Sequence, residues 1–342
     1  MRGIVVLLAG VAGSTALGAC SEGERDRLDE GGPWFVGDPT LPAEQPGRAA
    51  PGVPSPIRIA EEGDAAALEP LAITDLGSIF PESARLVGVA VAPDTGRLYV
   101  LDARAGLYEI TSDAARLVFD LPASRVVAGT GDGSPPIELT DVALDPSGGG
   151  PAGSARFMLT AENDGFLLSL PSTTLTSHFC YFPPFADEEP TPAPSISQEL
   201  REQGIPIVER TEAVAVNEQS GQILAQPRTL RIDGAGVAGS ELFVFDAAGG
   251  QPTATRRFER TEFVAGGAAF VSQSSLVLGS GNSLYITQGW ADDVRRIASV
   301  PGASEITGMA SLPGGHLLVL DGPSKRLLEL DALAIGDAAS GS

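Results

Sequence analysis

The residues best suited to chemistry in this 342-residue chain are polar and aromatic side chains that flank short apolar segments. Carboxylates that converge on one point could coordinate Ca²⁺ or another divalent ion, because Ca²⁺ takes about six to eight oxygen ligands. Asp, Asn and Glu are also the residues that solvated turns contain. The set therefore allows either a ligand- or metal-binding face or ordinary turns. Its members are Asp102, Asp141, Glu162, Asn163, Asp164, Glu212, Gln288, Trp290, Asp292 and Asp321.

The chain has two cysteines and two histidines, which limits nucleophilic and zinc chemistry. His178 and Cys180 would share one face of a strand, so a cysteine–histidine pair is conceivable. Cys180 is flanked by aromatic residues, however, and we favour a buried, unreactive cysteine. His178 and His316 together cannot supply the usual three-ligand histidine site for zinc or copper. We therefore predict no catalytic residue, and no cofactor beyond the divalent ion considered above.

The first nineteen residues are typical of a secretory signal: Arg2 precedes an apolar stretch that is too short and glycine-rich to span a membrane. The stretch ends in Leu17-Gly18-Ala19-Cys20, which resembles the lipobox of bacterial lipoproteins. This resemblance implies cleavage before Cys20 and lipidation of its thiol. Acyl chains would then hold the protein to the membrane, at about 0.8 kcal/mol for each buried methylene.

Charge excludes other kinds of attachment. The chain carries 22 Lys and Arg against 44 Asp and Glu, a net charge of −22, which excludes a nucleic-acid binder and disfavours an anionic lipid surface. Membrane contact is therefore expected through the lipid on Cys20. By the same resemblance, Ser21 in place of Asp implies sorting to the outer membrane, with the periplasmic and the surface side both open.

Composition divides the remainder of the chain. Residues 20–69 are rich in Pro, Gly and acidic residues and predict a disordered tether, in which Trp34-Phe35-Val36 is the one hydrophobic cluster. Residues 70–331 predict one domain, and residues 332–342 a flexible tail. Within the domain, the Pro-rich acidic segment 183–206 is an insertion that either recognises something or is a disordered addition.

A repeat organises the domain. Short apolar runs separated by Gly, Pro, Asp and Ser predict strands and turns, and hence an all-β fold. Five copies of one pattern start at Gly88, Asp141, Ala213, Gly267 and Gly308. Two residues after each start stands an alanine, and small side chains suit an innermost strand where sheets converge on a channel. These alanines are Ala90, Ala143, Ala215, Ala269 and Ala310.

The copies GVAVAPDTGRLYVLDARAGLYEI and GMASLPGGHLLVLDGPSKRLLELD resemble NHL-type, YncE-like and SMP-30-like β-propeller repeats. This resemblance implies a single β-propeller. The length of the domain allows five blades or six, and we favour six. Glu241 to Asp246 could be the third strand of the blade that starts at Ala213, or the second strand of an extra blade. The last copy lacks a fourth strand, which residues 71–76 could supply and so close the ring.

Two functions are compatible with this sequence. The first is a lipid-anchored, monomeric envelope module that binds a protein, glycan or small ligand without catalysis. The alternative is a metal-dependent hydrolase or lactonase of the SMP-30-like type, with carboxylates drawn from Asp141, Glu162, Glu212 and Asp321. We favour the first, because the chain offers a rigid scaffold on a long tether and no reacting constellation.

Overall fold

The computed structural model describes parts of the chain between residues 57 and 331. Cys20, the signal segment, the Trp34 cluster, the insertion 183–206 and the tail lie outside the described residues. Within those residues all regular elements are strands, and there is no helix long and apolar enough to cross a membrane. The described ranges are 57–60, 66–92, 94–112, 114–127, 137–145, 155–161, 164–171, 173–180, 207–230, 238–249, 253–260, 263–288, 293–312 and 314–331.

The described residues form twenty-three strands. They are β1 (Ile59–Ala60), β2 (Ala66–Ala67), β3 (Ala72–Asp75), β4 (Leu86–Ala92), β5 (Arg97–Asp102), β6 (Gly106–Ile110), β7 (Ala115–Asp120), β8 (Arg125–Val127), β9 (Asp141–Leu144), β10 (Arg156–Thr160), β11 (Asp164–Ser169), β12 (Thr174–Cys180), β13 (Ile207–Val216), β14 (Ile223–Leu230), β15 (Ala238–Phe245), β16 (Ala254–Arg257), β17 (Gly267–Phe270), β18 (Ser275–Ser280), β19 (Ser283–Gln288), β20 (Val294–Ser299), β21 (Ile306–Leu312), β22 (His316–Asp321) and β23 (Arg326–Asp331).

These strands form five sheets, which we number as blades in the order of their innermost strands. Blade 1 contains β4 to β7, and blade 3 contains β13 to β16. Blade 2 contains β9 to β12, with β8 parallel to β12 at its outer edge. Blade 4 contains β17 to β20, and blade 5 contains β21 to β23 with β3 outermost. The described residues therefore form an all-β propeller with five blades.

The prediction of six blades was wrong. Glu241 lies in β15, which pairs with β14 on one side and β16 on the other. The segment is thus the third strand of blade 3 and does not begin an additional blade. The wide spacing between the repeat starts Asp141 and Ala213 arises because residues 181–206 separate the last strand of blade 2 from the first strand of blade 3.

Apolar side chains fill the seams between blades. Strand β4 is buried along its whole length, because it faces the seams on both sides of blade 1. Val89 and Val100 pack towards blade 5, whereas Leu101 and Leu107 pack towards blade 2. Since successive side chains of a strand point to opposite faces, each blade contributes to two seams at once.

The predicted small residues line the central channel. Ala90, Ala143, Ala215, Ala269 and Ala310 all face a narrow cavity of about 50 Å³. A space of that size holds only one or two water molecules, well below the roughly 300 Å³ of a typical small-molecule pocket. The channel is therefore a packed axis of the fold.

The five repeat starts form a ring at one end of this channel, which we call the axial ring: Gly88, Asp141, Ala213, Gly267 and Gly308. Backbones approach closely there. A Cβ atom on Gly308 would lie 2.7 Å from the Cα atom of Gly88, and one on Gly267 would lie 2.8 Å from the carbonyl carbon of Gly308. A Cβ atom on Gly88 would lie 2.8 Å from Val142 N. Side chains are excluded at these three positions because the next innermost strand occupies the space.

The segment before blade 1 joins the outer edges of blades 3, 4 and 5. We call its described residues, 57–60 and 66–76, the strap. Ile57 is 1% exposed and bridges to Phe258 of blade 3, and β1 and β2 then run parallel to β20 of blade 4. Strand β3 pairs antiparallel with β23 of blade 5, and Leu76 enters the seam between blades 5 and 1. Both β1 and β2 fall within the segment 20–69, for which composition predicts a tether.

The chain's one lysine lies where the strap crosses from blade 5 to blade 1. Lys325 Nζ donates to the carbonyls of Pro81 and Glu82, at 2.5 and 2.8 Å. The Lys325 carbonyl accepts from Leu76 N–H at 2.8 Å. A single ammonium with three donors can satisfy two neighbouring carbonyls at once, which suits lysine to this position.

Substitution in the strap tests how far it stabilises the ring. Leu76 is completely buried beside Phe80 and Leu320, so Leu76→Ala should lower the free energy of unfolding by about 2–5 kcal/mol. Ile73, in the same segment, is 56% exposed, and Ile73→Ala should change the unfolding free energy by less than about 0.5 kcal/mol. Urea denaturation of both variants is the measurement. Equal midpoints for the two variants would show that the ring is stable without the strap.

Candidate functional site

Three of the predicted site residues, Asp102, Asp141 and Asp321, lie at one face of the propeller. We call it the upper face: the face at which the innermost strands begin and the second strands end. Asp141 starts β9, whereas Asp102 and Asp321 end β5 and β22. Neighbouring strands of a blade run in opposite directions. The start of an innermost strand and the end of the second strand therefore lie at the same face.

Asp141 is buried within the axial ring, with 1% of its surface exposed. Its Oδ1 accepts from its neighbour Val142 N–H at 2.8 Å, and its Oδ2 accepts from Val214 N–H of blade 3 at 2.9 Å. Burial raises the pKa of Asp141 well above its ordinary value, and the two N–H donors oppose that rise only in part. This carboxyl group thus joins blade 2 to blade 3.

Asp102 is 5% exposed and holds two loops of blade 1. Its Oδ1 accepts from Arg104 N–H and Ala105 N–H, both at 2.9 Å, and its Oδ2 accepts from Arg85 N–H at 3.0 Å. Three backbone donors therefore surround one carboxylate. Asp102 fixes the turn after β5 against the segment that enters β4.

Asp321 has the same role in blade 5. It is fully buried, and its Oδ1 accepts from Ser304 Oγ at 2.7 Å while its Oδ2 accepts from Ser304 N–H and from Arg326 Nη2, each at 3.2 Å. Burial alone would raise the pKa of Asp321, but the hydrogen bonds from Ser304 outweigh it and the pKa lies below its ordinary value. The carboxylate fixes the segment that enters β21.

A charged cluster that sequence reasoning missed lies between blades 1 and 2. Arg85 Nη1 and Arg104 Nε both contact Glu138 Oε1, at 3.0 and 2.8 Å. The hydrogen bond from Arg104 lowers the pKa of Glu138, and the charges of Arg85, Arg104 and Arg210 lower it further. Arg210 itself pairs with Glu212 at 3.2 Å. We call Arg85, Arg104, Glu138, Arg210 and Glu212 the arginine cluster.

The other candidates are not brought together in the part of the chain that the structure describes. Glu162, Asn163, Trp290 and Asp292 lie outside the described residues. Asp164 and Gln288 are placed by their backbones. Asp164 begins β11 at the upper face, whereas Gln288 ends β19, the third strand of blade 4, opposite the first residue of β18 and therefore at the other face. In the described residues there is no group of three or more His, Cys, Asp or Glu side chains that could hold a metal ion.

The predicted cysteine–histidine neighbourhood lies at the outer edge of blade 2. His178 Nε2 contacts the carbonyl of Ala247 in blade 3 at 3.2 Å, and burial lowers the pKa of His178 below its ordinary value. Cys180 is placed by its backbone, which pairs with Asp164 in β11. His178 therefore joins two blades, as Asp141 does nearer the axis.

A signal for the arginine cluster exists in the sequence, although net charge hides it. Arg85 directly precedes an innermost strand, and Arg104 follows Asp102 by two residues in the turn after β5. In a strongly acidic chain the many carboxylates favour an interpretation as metal ligands. The arginines at the equivalent loop positions were therefore not predicted as site residues.

No protein-family model matches this chain, and no curated protein is significantly similar to it.

The titration of Asp141 is testable through stability. A carboxyl group whose pKa is raised on folding stabilises most below its ordinary pKa, and that stabilisation is lost as the pH rises towards the folded-state pKa. The advantage of the native chain over Asp141→Asn should therefore shrink as the pH rises above about 4. Asp141→Ala, which leaves two buried N–H groups without an acceptor, should cost about 1–3 kcal/mol or more at the acidic end.

Urea denaturation as a function of pH is the measurement, with Asp94→Asn at an exposed turn as the matched control. The control should differ from the native chain by less than about 0.5 kcal/mol at every pH. An advantage of the native chain over Asp141→Asn that instead grew with pH would mean that the buried group is ionised.

Proposed function

We propose that this chain is a lipid-anchored cell-envelope β-propeller that acts as a non-catalytic binding or scaffold module for a protein, glycan or small ligand. Its lipid on Cys20 attaches it to the bacterial membrane, its tether separates the domain from the bilayer, and its upper face carries the binding surface. The module works as a monomer and needs no cofactor.

One observation carries the proposal: three of the predicted upper-face carboxylates, Asp102, Asp141 and Asp321, hold backbone or loop groups. Asp102 accepts three backbone N–H groups, Asp141 accepts two, and Asp321 accepts from the loop at Ser304. Oxygens that hold loops are poorly placed to bind a substrate or a metal ion, because releasing them would leave buried N–H groups without acceptors. The same bonds make the upper face rigid, which favours binding by a preformed surface.

The narrow channel supports the same function. A cavity of about 50 Å³ lined by alanines has no room for a sugar ring or a lactone. The axial ring narrows the upper end further, because the backbones of blades 4, 5 and 1 meet there. Ligands of that size must then bind outside the channel, and we place them on the upper face and its loops.

Thermal unfolding of the full chain in EDTA and with Ca²⁺, Mg²⁺, Mn²⁺ or Zn²⁺ separates a binding module from a metal-dependent hydrolase. A metal ion at about 100 times its Kd would add about 2.7 kcal/mol, a shift of several degrees in Tm. We expect the same Tm in all five conditions. A shift with one ion that disappeared in both Asp141→Ala and Glu212→Ala would favour the hydrolase.

Attachment through Cys20 has its own test. In a bacterium that processes lipoproteins, the native chain should partition into the detergent phase and incorporate labelled palmitate, whereas Cys20→Ser should do neither, because the thiol is the site of the thioether. Cys180→Ser is the matched control and should partition like the native chain. Detergent-phase partition of Cys20→Ser would refute the lipid anchor.

A further inference from the structure

We propose that the arginine cluster is a binding site for the carboxylate group of a small ligand. This inference rests on the proposed function, since it names the ligand chemistry of the same upper face. It concerns Arg85, Arg104 and Glu138 above all, with Arg210 and Glu212 beside them.

Both arginines are positioned by their backbones before any ligand arrives. Asp102 accepts the N–H groups of Arg85 and Arg104 on its two oxygens, at 3.0 and 2.9 Å. The Leu139 N–H donates to the Ala103 carbonyl at 2.9 Å, which fixes the neighbouring residue of Glu138 against the same turn. The two guanidinium groups and the glutamate are thus carried by three segments bonded to one another. A site held in this way loses little conformational entropy on binding.

Solvent meets the guanidinium groups first. The side chain of Arg104 is 77% exposed and that of Arg85 is 47% exposed, whereas Glu138 is 31% exposed. Asp102, beneath them, is 5% exposed. The guanidinium groups are therefore more exposed than the carboxylates that they contact, and an approaching anion can reach them even though the chain as a whole is strongly acidic.

The arginines have more donors than the cluster uses. Each guanidinium carries five N–H donors. Arg85 and Arg104 share a single acceptor atom, Glu138 Oε1, and within the described residues no other acceptor contacts the Arg104 guanidinium. Arg210 adds a third positive charge close enough to lower the pKa of Glu138. Outward-facing donors therefore remain for a second, external carboxylate.

A carboxylate fits this arrangement better than a spherical anion does. The planar guanidinium fork binds two oxygens in one plane, and the charge-assisted bonds that result are about twice as strong as neutral ones. Glu138 already occupies the inner side of both arginines as a carboxylate. A ligand carboxylate would occupy the outer side of Arg104 and reach Arg85.

Succinate is the probe, titrated calorimetrically into the full chain in detergent at constant ionic strength, with inorganic phosphate and a matched chloride solution for comparison. Saturable succinate binding to the native chain is expected, with phosphate at least about threefold weaker. Arg104→Ala should weaken succinate binding by about tenfold or more. Glu138→Gln should tighten it several-fold, because the competing internal carboxylate is lost.

Arg58→Ala is the matched control. Arg58 is 72% exposed and pairs with Asp293 at 2.6 Å, but as a single arginine on the strap. Its loss should leave the Kd for succinate unchanged. The response to Glu138→Gln is the sharpest test, because a mere surface ion pair gives no reason for tighter binding.

The proposal is overturned if succinate fails to bind at concentrations up to about 10 mM, or if Arg104→Ala and Arg58→Ala behave alike. Phosphate binding as tightly as succinate would overturn the carboxylate assignment. Neither result alters the metal or Cys20 experiments, so failure of this site and failure of the proposed function are distinguishable.

Discussion

The close approach of the five innermost strands at the axial ring is the constraint on which the rest of this structure depends. Strands that converge on one axis leave less space as they approach it. At Gly267, Gly308 and Gly88 the neighbouring backbone occupies the position of a side chain, so only glycine fits without displacing it. The same convergence requires the alanines two residues further on, which line the remaining channel.

Asp141 is the one polar side chain among the five residues of the axial ring, and it shows a consequence of the convergence. Backbone N–H groups at the inner edge of an innermost strand have no neighbouring strand to bond, and an unsatisfied buried donor costs about 1–3 kcal/mol. Asp141 accepts two such donors, from Val142 and Val214. Burial disfavours the ionised form of Asp141 more than the two hydrogen bonds favour it, so the pKa of Asp141 is raised. The side chain that looks most like a catalytic or metal-binding acid is thus used to join two blades.

The sequence predicted the features that arise from local packing. It did not predict the features that depend on how the chain runs between strands. The repeat starts and the alanines were recognisable because the axis restricts side-chain size in every blade. The blade number was not, because residues 181–206, between β12 and β13, widen one interval of the repeat. The first part of the strap was not predicted either, because Ile57 and the two-residue strands β1 and β2 are too short to produce a periodicity.

The candidate site divides in the same way. The repeat pattern indicated which carboxylates lie beside the innermost strands and in the following loops, but a sequence does not say whether an oxygen accepts a backbone N–H or faces solvent. Asp102 shows the consequence, because the bonds that use up its oxygens also fix the loops that present Arg85 and Arg104. The Asp102 carboxylate is buried, whereas the side chains of Arg85 and Arg104 are exposed to solvent. Net charge therefore describes the whole chain correctly but does not reveal the exposed arginines in this part of its upper face.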